Sequence, residues 1–168
     1  MNAQDVLNLY WSRSVPAKTP VDPISIARNA GLTVISDNSM QGGFCGQVAM
    51  EDGDVVIRYS SSEHNVRQRF TVAHELGHYF LGHMSGVDRD TVFQDGPRQF
   101  SASIWHPKEA AANRFAAELL IPMDTLDYYI THRKVLDGHK LATLFGVSTV
   151  AVDLRVKEWQ KLRSRLLV

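Results

Sequence analysis

Apolar residues along this chain recur with two different periods, and the changes between them mark the elements. Residues 3–13 and 23–30 repeat apolar positions at helical spacing, with Gly31 as a stop for the second helix. A short apolar run at 32–35 reads as a strand. Residues 43–59 read as two strands joined at Asp52-Gly53, a common hairpin turn pair. Ser60-x-x-Glu63 then has the form of a capping box, with Ser60 as N-cap. No Pro or Gly occurs from Ser60 to Leu76, and Phe70, Ala73, Gly77, Phe80 and Leu81 fall on one helical face. Residues 85–106 hold Gly86, Gly96 and Pro97 with little periodicity, and read as a lid or a connector. Pro107 and Pro122 bracket a helix at 108–121 whose apolar stripe is Ala112, Phe115, Ala116, Leu119 and Leu120. Residues 136–145, the turn Gly146-Val147-Ser148 and residues 149–166 have a helix-turn-helix outline. The predicted class is α+β, with a core over 1–122 and a helical C-terminal segment over 123–168.

The chemistry in this pattern lies in mid-helix, at His74-Glu75-Leu76-Gly77-His78. Residues four apart share a helix face, so the two imidazoles can converge on one point. Glu75 lies about 100° round the helix, within reach of a water held at that point. Two imidazoles, an open position and an adjacent carboxylate base make a zinc-hydrolase site when the motif is helical. By this reading His74 and His78 are metal ligands and Glu75 is the catalytic base, acting on the attacking water and then on the leaving amine.

Catalytic zinc usually has a third protein ligand. A third His within an extended motif is excluded, because positions 81 and 84 are Leu and Met. His83 is nine residues beyond His74, about 180° round a straight helix, and is expected to point away. A carboxylate from the second helix is the better source. Glu109 falls about 60° from the centre of that helix's apolar stripe and Glu118 about 120°, which favours Glu109. Asn113, one turn on, is placed to hydrogen-bond a ligand.

The run FTVAHELGHYFLGH, followed some thirty residues later by EAAANRFAAELLIP, resembles the ImmA/IrrE family of zinc metallopeptidases. The resemblance extends upstream to VDPISIA with Gly31-Leu32 and to the 46–59 hairpin. It implies a zincin-like fold and an HExxH-plus-Glu (gluzincin-like) endopeptidase with Zn²⁺ as cofactor. The family pattern puts the third ligand four residues before the Asn of the A-N-x-F-A run, which is Glu109 here. Many members carry another Glu two residues before that Asn; this chain has Ala111. The resemblance further implies a protein substrate: a helix-turn-helix repressor of a mobile element, prophage, stress response or toxin–antitoxin-like pair.

Lys+Arg and Asp+Glu both number 18, so no net charge draws the chain to DNA or membranes. No apolar run reaches a membrane span, the N-terminus lacks a signal layout, and the one cysteine precludes an internal disulfide, so a cytoplasmic enzyme is expected. Arg155, Lys157, Lys161, Arg163 and Arg165 raise a DNA-binding reading of 136–166; apolar residues spread round the same helix favour a structural or docking role. The other alternative is a non-catalytic partner that sequesters a repressor or toxin. Cys45, flanked by glycines, is a candidate thiolate latch on the metal, against the plainer reading of a buried strand cysteine. Tyr79, His106, Tyr128 and Tyr129 are candidate oxyanion donors, and the hairpin edge is a candidate platform for strand addition by a substrate.

Overall fold

Why the hairpin forms where it does is visible at its turn. Asp52 and Gly53 both take positive φ (50° and 95°), the conformation a tight two-residue hairpin turn requires. They join β2 (Gly46–Glu51) to β3 (Asp54–Ser60) in antiparallel register, with Val48 opposite Ile57. β1 (Thr33–Asp37) adds to the far side of β3 in parallel, and β4 (Phe93–Asp95) pairs antiparallel with β2 over Gly46–Val48. The sheet order is therefore β1-β3-β2-β4. This computed structural model describes residues 1–40, 45–84, 93–95 and 107–166. Among them are seven helices: α1 (Ala3–Tyr10), α2 (Pro23–Asn29), α3 (Asn65–Phe80), α4 (Pro107–Leu120), α5 (Met123–Thr131), α6 (Gly138–Phe145) and α7 (Thr149–Leu166). None is long and apolar enough to cross a membrane. The α+β class expected from the sequence is the one observed.

Several boundaries differ from the sequence pattern, each for a local reason. Ser60 does not cap α3. Its N–H donates to the Cys45 carbonyl and extends the β3 ladder, so strand pairing wins over the cap. His64 caps the helix instead, its Nδ1 accepting from Val66 N–H. α1 stops at Tyr10, and the Trp11 indole turns aside to donate to the Lys18 carbonyl. α6 starts at Gly138, because Asp137 accepts from the N–H groups of His139 and Lys140 and leaves Leu136 outside the helix. β4 was not expected within the irregular 85–106 stretch; the rest of that stretch lies outside the described residues. β4 also takes the hairpin edge over Gly46–Val48, so that part of β2 is not open to an incoming strand.

The core lies between sheet and helices. Val48 and Ile57 face α3 residues Val72 and Leu76, and Phe115, Leu119 and Leu120 of α4 close the other side, all at most 3% exposed. The C-terminal helices are tied into the same core. Phe145 and Val152 are fully buried in it, and Arg155, 5% exposed, donates through Nε and Nη2 to the Ile121 carbonyl. Trp159 Nε1 and Arg163 both donate to Asp127 of α5. Arg69 of α3 adds a tie from three sides, donating to the carbonyls of Gly146 (3.0 Å), Phe145 (3.3 Å) and Val21 (2.6 Å).

These three carbonyls need a donor once removed from water. Arg69→Met keeps much of the apolar stem but none of the donors. It is expected to cost about 2 kcal/mol or more, read as a lower urea midpoint. An unchanged midpoint would mean that water replaces the guanidinium without loss.

Candidate metal centre

The site grows out of one close crossing. α3 packs more extensively on α4 than on any other element. At the crossing sits Gly77, where an added Cβ would lie 3.0 Å from Ala112 Cα and 3.1 Å from Ala112 O. Absence of a side chain lets the two backbones touch. Glu109, one turn before Asn113 on α4, is thereby carried to the histidine face of α3.

His74 and His78 are 2% and 1% exposed, and their Nε2 atoms lie 3.0 Å apart. Glu109 meets both: Oε2 is 3.2 Å from His74 Nε2 and Oε1 is 3.2 Å from His78 Nε2. The three side chains are the described cluster able to hold a metal ion. Each Nδ1 is turned outward to a partner. His74 Nδ1 lies 2.9 Å from the Asn113 side-chain oxygen, and His78 Nδ1 lies 3.0 Å from His83 Nδ1. Burial opposes ionisation of Glu109, but hydrogen bonds to His74 and His78 outweigh it and hold the carboxyl well below the usual range. Burial, with the nearby His78 and Lys108, pushes His83 below its ordinary pKa. A metal bound here would take the place of the protons shared between Glu109 and the two Nε2 atoms, with the carboxylate and both Nε2 lone pairs as donors.

Glu75, 1% exposed, faces the sheet: its Oε1 is 3.3 Å from where a Cβ on Gly46 would stand. Thr71, one turn earlier on the same face, would meet that Cβ at 2.2 Å. Gly46 at the start of β2 thus leaves room for the Glu75 carboxylate between helix and strand.

The donor set fits a tetrahedral zinc. Ligands each about 2.0–2.1 Å from such an ion stand about 3.3 Å apart, close to the three separations here. The model of the IrrE N-terminal-like domain, peptidase family M78, matches residues 30–157. The chain belongs to the IrrE N-terminal-like family. The family points to a metallopeptidase, and His74, His78 and Glu109 are a donor set for that chemistry. Among solved structures, a Mycobacterium tuberculosis transcriptional regulator matches this IrrE-like chain with TM-score 0.55 and 16% identity. The match covers 90% of the IrrE-like chain and 50% of the regulator, and the likeness is one of fold. A search of curated proteins finds no sequence match.

Residue by residue, the IrrE-like fold assembles part of what the sequence suggested. It brings His74, His78, Glu109 and Asn113 together. Glu118 is elsewhere, lining a cleft with Asn2 and Arg155. His83 is a correction: it does not point away, because the helix has ended before it. The Gly82 N–H donates to the Tyr79 carbonyl, the His83 N–H donates to the His78 carbonyl, and Gly82 takes φ 73°. This left-handed glycine cap folds His83 back onto the turn carrying His78. The signal was available in Leu81-Gly82-His83, had Gly82 been read as the residue just past the helix end. Cys45 is not gathered with His74, His78 and Glu109. Its buried thiol lies 3.7 Å from Glu63 Oε1 and 3.5 Å from Arg67 Nη2, at the start of α3. Tyr129 pairs with Thr19 and Phe145, and Tyr128 stacks on His132, so both serve the α5 region. Tyr79 lies on α3 in edge contact with Phe80, and His106 is outside the described residues.

In an exposed helix, Gly→Ala favours the helix by about 1 kcal/mol. Gly77→Ala should do the reverse, since the methyl group meets α4 backbone and forces the helices apart. A stability loss of about 1–3 kcal/mol is expected, with weaker metal uptake because Glu109 moves with α4. A variant that melts higher and keeps full metal content would show that the crossing is not tight.

Proposed function

We propose that this protein is a zinc-dependent endopeptidase of the HExxH-plus-Glu type. The observation that carries the reading is convergence: two Nε2 atoms and both Glu109 oxygens meet at 3.0–3.2 Å, with each Nδ1 held outward. His74, His78 and Glu109 hold the ion, and Asn113 orients His74. The chemistry supplied when zinc is bound is Lewis acidity at the open side of these ligands. Glu75 takes a proton from the attacking water at its carboxylate and returns it to the leaving amine nitrogen. Gly46, at the start of β2, keeps space for that carboxylate between helix and sheet.

The substrate in this reading is a cytoplasmic helix-turn-helix repressor or antitoxin, which rests on the family resemblance of the paired helix motifs. Residues 123–168 act as a structural and docking segment rather than a DNA reader. Two of the five cations of α7 are used internally, Arg155 on Ile121 and Glu158 and Arg163 on Asp127. At the start of α7, Val150 and Leu154 are exposed, an apolar face where phosphate contacts need cations.

Ligand roles are read by metal content. Purified chain should hold about one zinc, and His74→Ala, His78→Ala or Glu109→Gln should each sharply lower it while Glu118→Gln retains it. Full zinc in Glu109→Gln would remove that carboxylate from the ligand set. Chemistry is read separately. Glu75→Gln should keep the zinc and the fold but slow cleavage by at least on the order of 10²-fold. The assay is fragment mass after incubation with a helix-turn-helix repressor encoded beside this gene. If wild type and Glu75→Gln relieve repression equally and neither yields fragments, the protein is a sequestering partner and not a peptidase.

A further inference from the structure

We infer that His83 is a positioning residue of the metal centre, holding His78 through an Nδ1–H···Nδ1 hydrogen bond between the two imidazoles. The inference rests on the zinc reading above and adds a residue to it.

The geometry leaves His83 one role at this centre. His78 Nε2 faces His74 and Glu109, so a metal is met by that nitrogen. To offer the Nε2 lone pair, neutral His78 must carry its proton on Nδ1. That proton points at His83 Nδ1, 3.0 Å away, which must then accept it, leaving the His83 proton on Nε2. His83 lies behind His78, on the side opposite the ligand nitrogens, so it is a support and not a fourth ligand. Metal-binding histidines generally need such a partner at the second nitrogen, and here His74 finds one in Asn113. His83 fills the corresponding place for His78.

Its position is built into the helix end. In the glycine-terminated cap, the second residue past the end donates to the carbonyl three residues before the cap and lies against that residue's side chain. Here those two residues are His83 and His78, joined by the 2.9 Å backbone bond from His83 N to His78 O. A contact that is usually apolar is here a pair of imidazoles, with ring centres 5.0 Å apart and planes at 66°. One backbone hydrogen bond and one side-chain hydrogen bond thus tie the same two residues.

The test uses three substitutions with different meanings. His83→Asn places a carbonyl oxygen the same number of bonds from Cα as Nδ1, and so keeps an acceptor. His83→Phe keeps the ring without the acceptor, and His83→Ala removes both. Zinc affinity is measured by competition with a chromogenic chelator, and the fold by melting of the metal-free chains. Ala and Phe should weaken zinc binding about 10–100-fold, and Asn should restore most of the loss. In zinc-loaded wild type, nitrogen NMR should show a scalar coupling across the hydrogen bond between the two Nδ1 atoms. Wild-type affinity in the Ala or Phe variant, or an Asn variant as weak as Ala, would overturn the role of His83 while leaving the zinc reading intact. A wild-type chain that binds no zinc overturns both.

Discussion

The contact on which the rest of this structure depends is the approach of α3 to α4 at Gly77 and Ala112. At that crossing a single hydrogen atom stands where any other residue would place a carbon. Helices normally pack with axes about 8–10 Å apart, set by the side chains between them. Small residues here on both helices bring Glu109 to hydrogen-bond distance of two imidazoles one turn apart. The same closeness buries His74 and His78 almost completely while leaving Glu109 partly open, so the donors converge in a dry place with one accessible side. Gly46 repeats the device on the strand side, where a missing side chain makes room for Thr71 and Glu75.

Convergence of polar groups in a core is costly unless each is satisfied, and the protein meets the cost from outside the cluster. Asn113 and His83 take the outward nitrogens, and the ring hydrogen bonds keep Glu109 ionised against its burial. His83 follows His78, the residue it supports, by five and lies within one helix cap of it, while Asn113, one turn after Glu109, reaches His74 across the α3–α4 crossing. Precision is thus obtained from local backbone geometry rather than from distant loops.

The C-terminal helices belong to the same economy. Arg69, on the very helix that carries the histidines, is bound to the turn between α6 and α7 and to the chain before α2. Arg155 and Trp159 anchor α7 to the end of α4 and to α5. Two arginines of this helix-turn-helix outline are thus used internally, and Val150 and Leu154 stand exposed at the start of α7.

The paired histidines and Glu75 in mid-helix, the helix carrying them as far as Phe80, the second helix with Glu109 ahead of Glu118, and the Asp52-Gly53 turn could all be read from the chain, because each depends on spacing within one element; Leu81, expected on the apolar face, is the exposed C-cap instead. Helical period alone places residues four apart together, and hairpin turns demand particular residues. What stayed hidden depended on two elements meeting or on where an element stops. Ser60 looked like a cap until strand pairing with Cys45 claimed its N–H. β4 is three residues long and owes its form to the edge of β2, so it leaves no period to read. His83 was assigned to the wrong side because a straight helix was assumed through Gly82, where the backbone reverses hand. Cys45 stands just before β2, and its thiol goes to Arg67 while the next residue, Gly46, faces Glu75. Sequence by itself determined which chemical groups were present and which shared a face. Tertiary packing decided which faces touch, because contact distance is set by side chains on both partners and by the exact end of each helix.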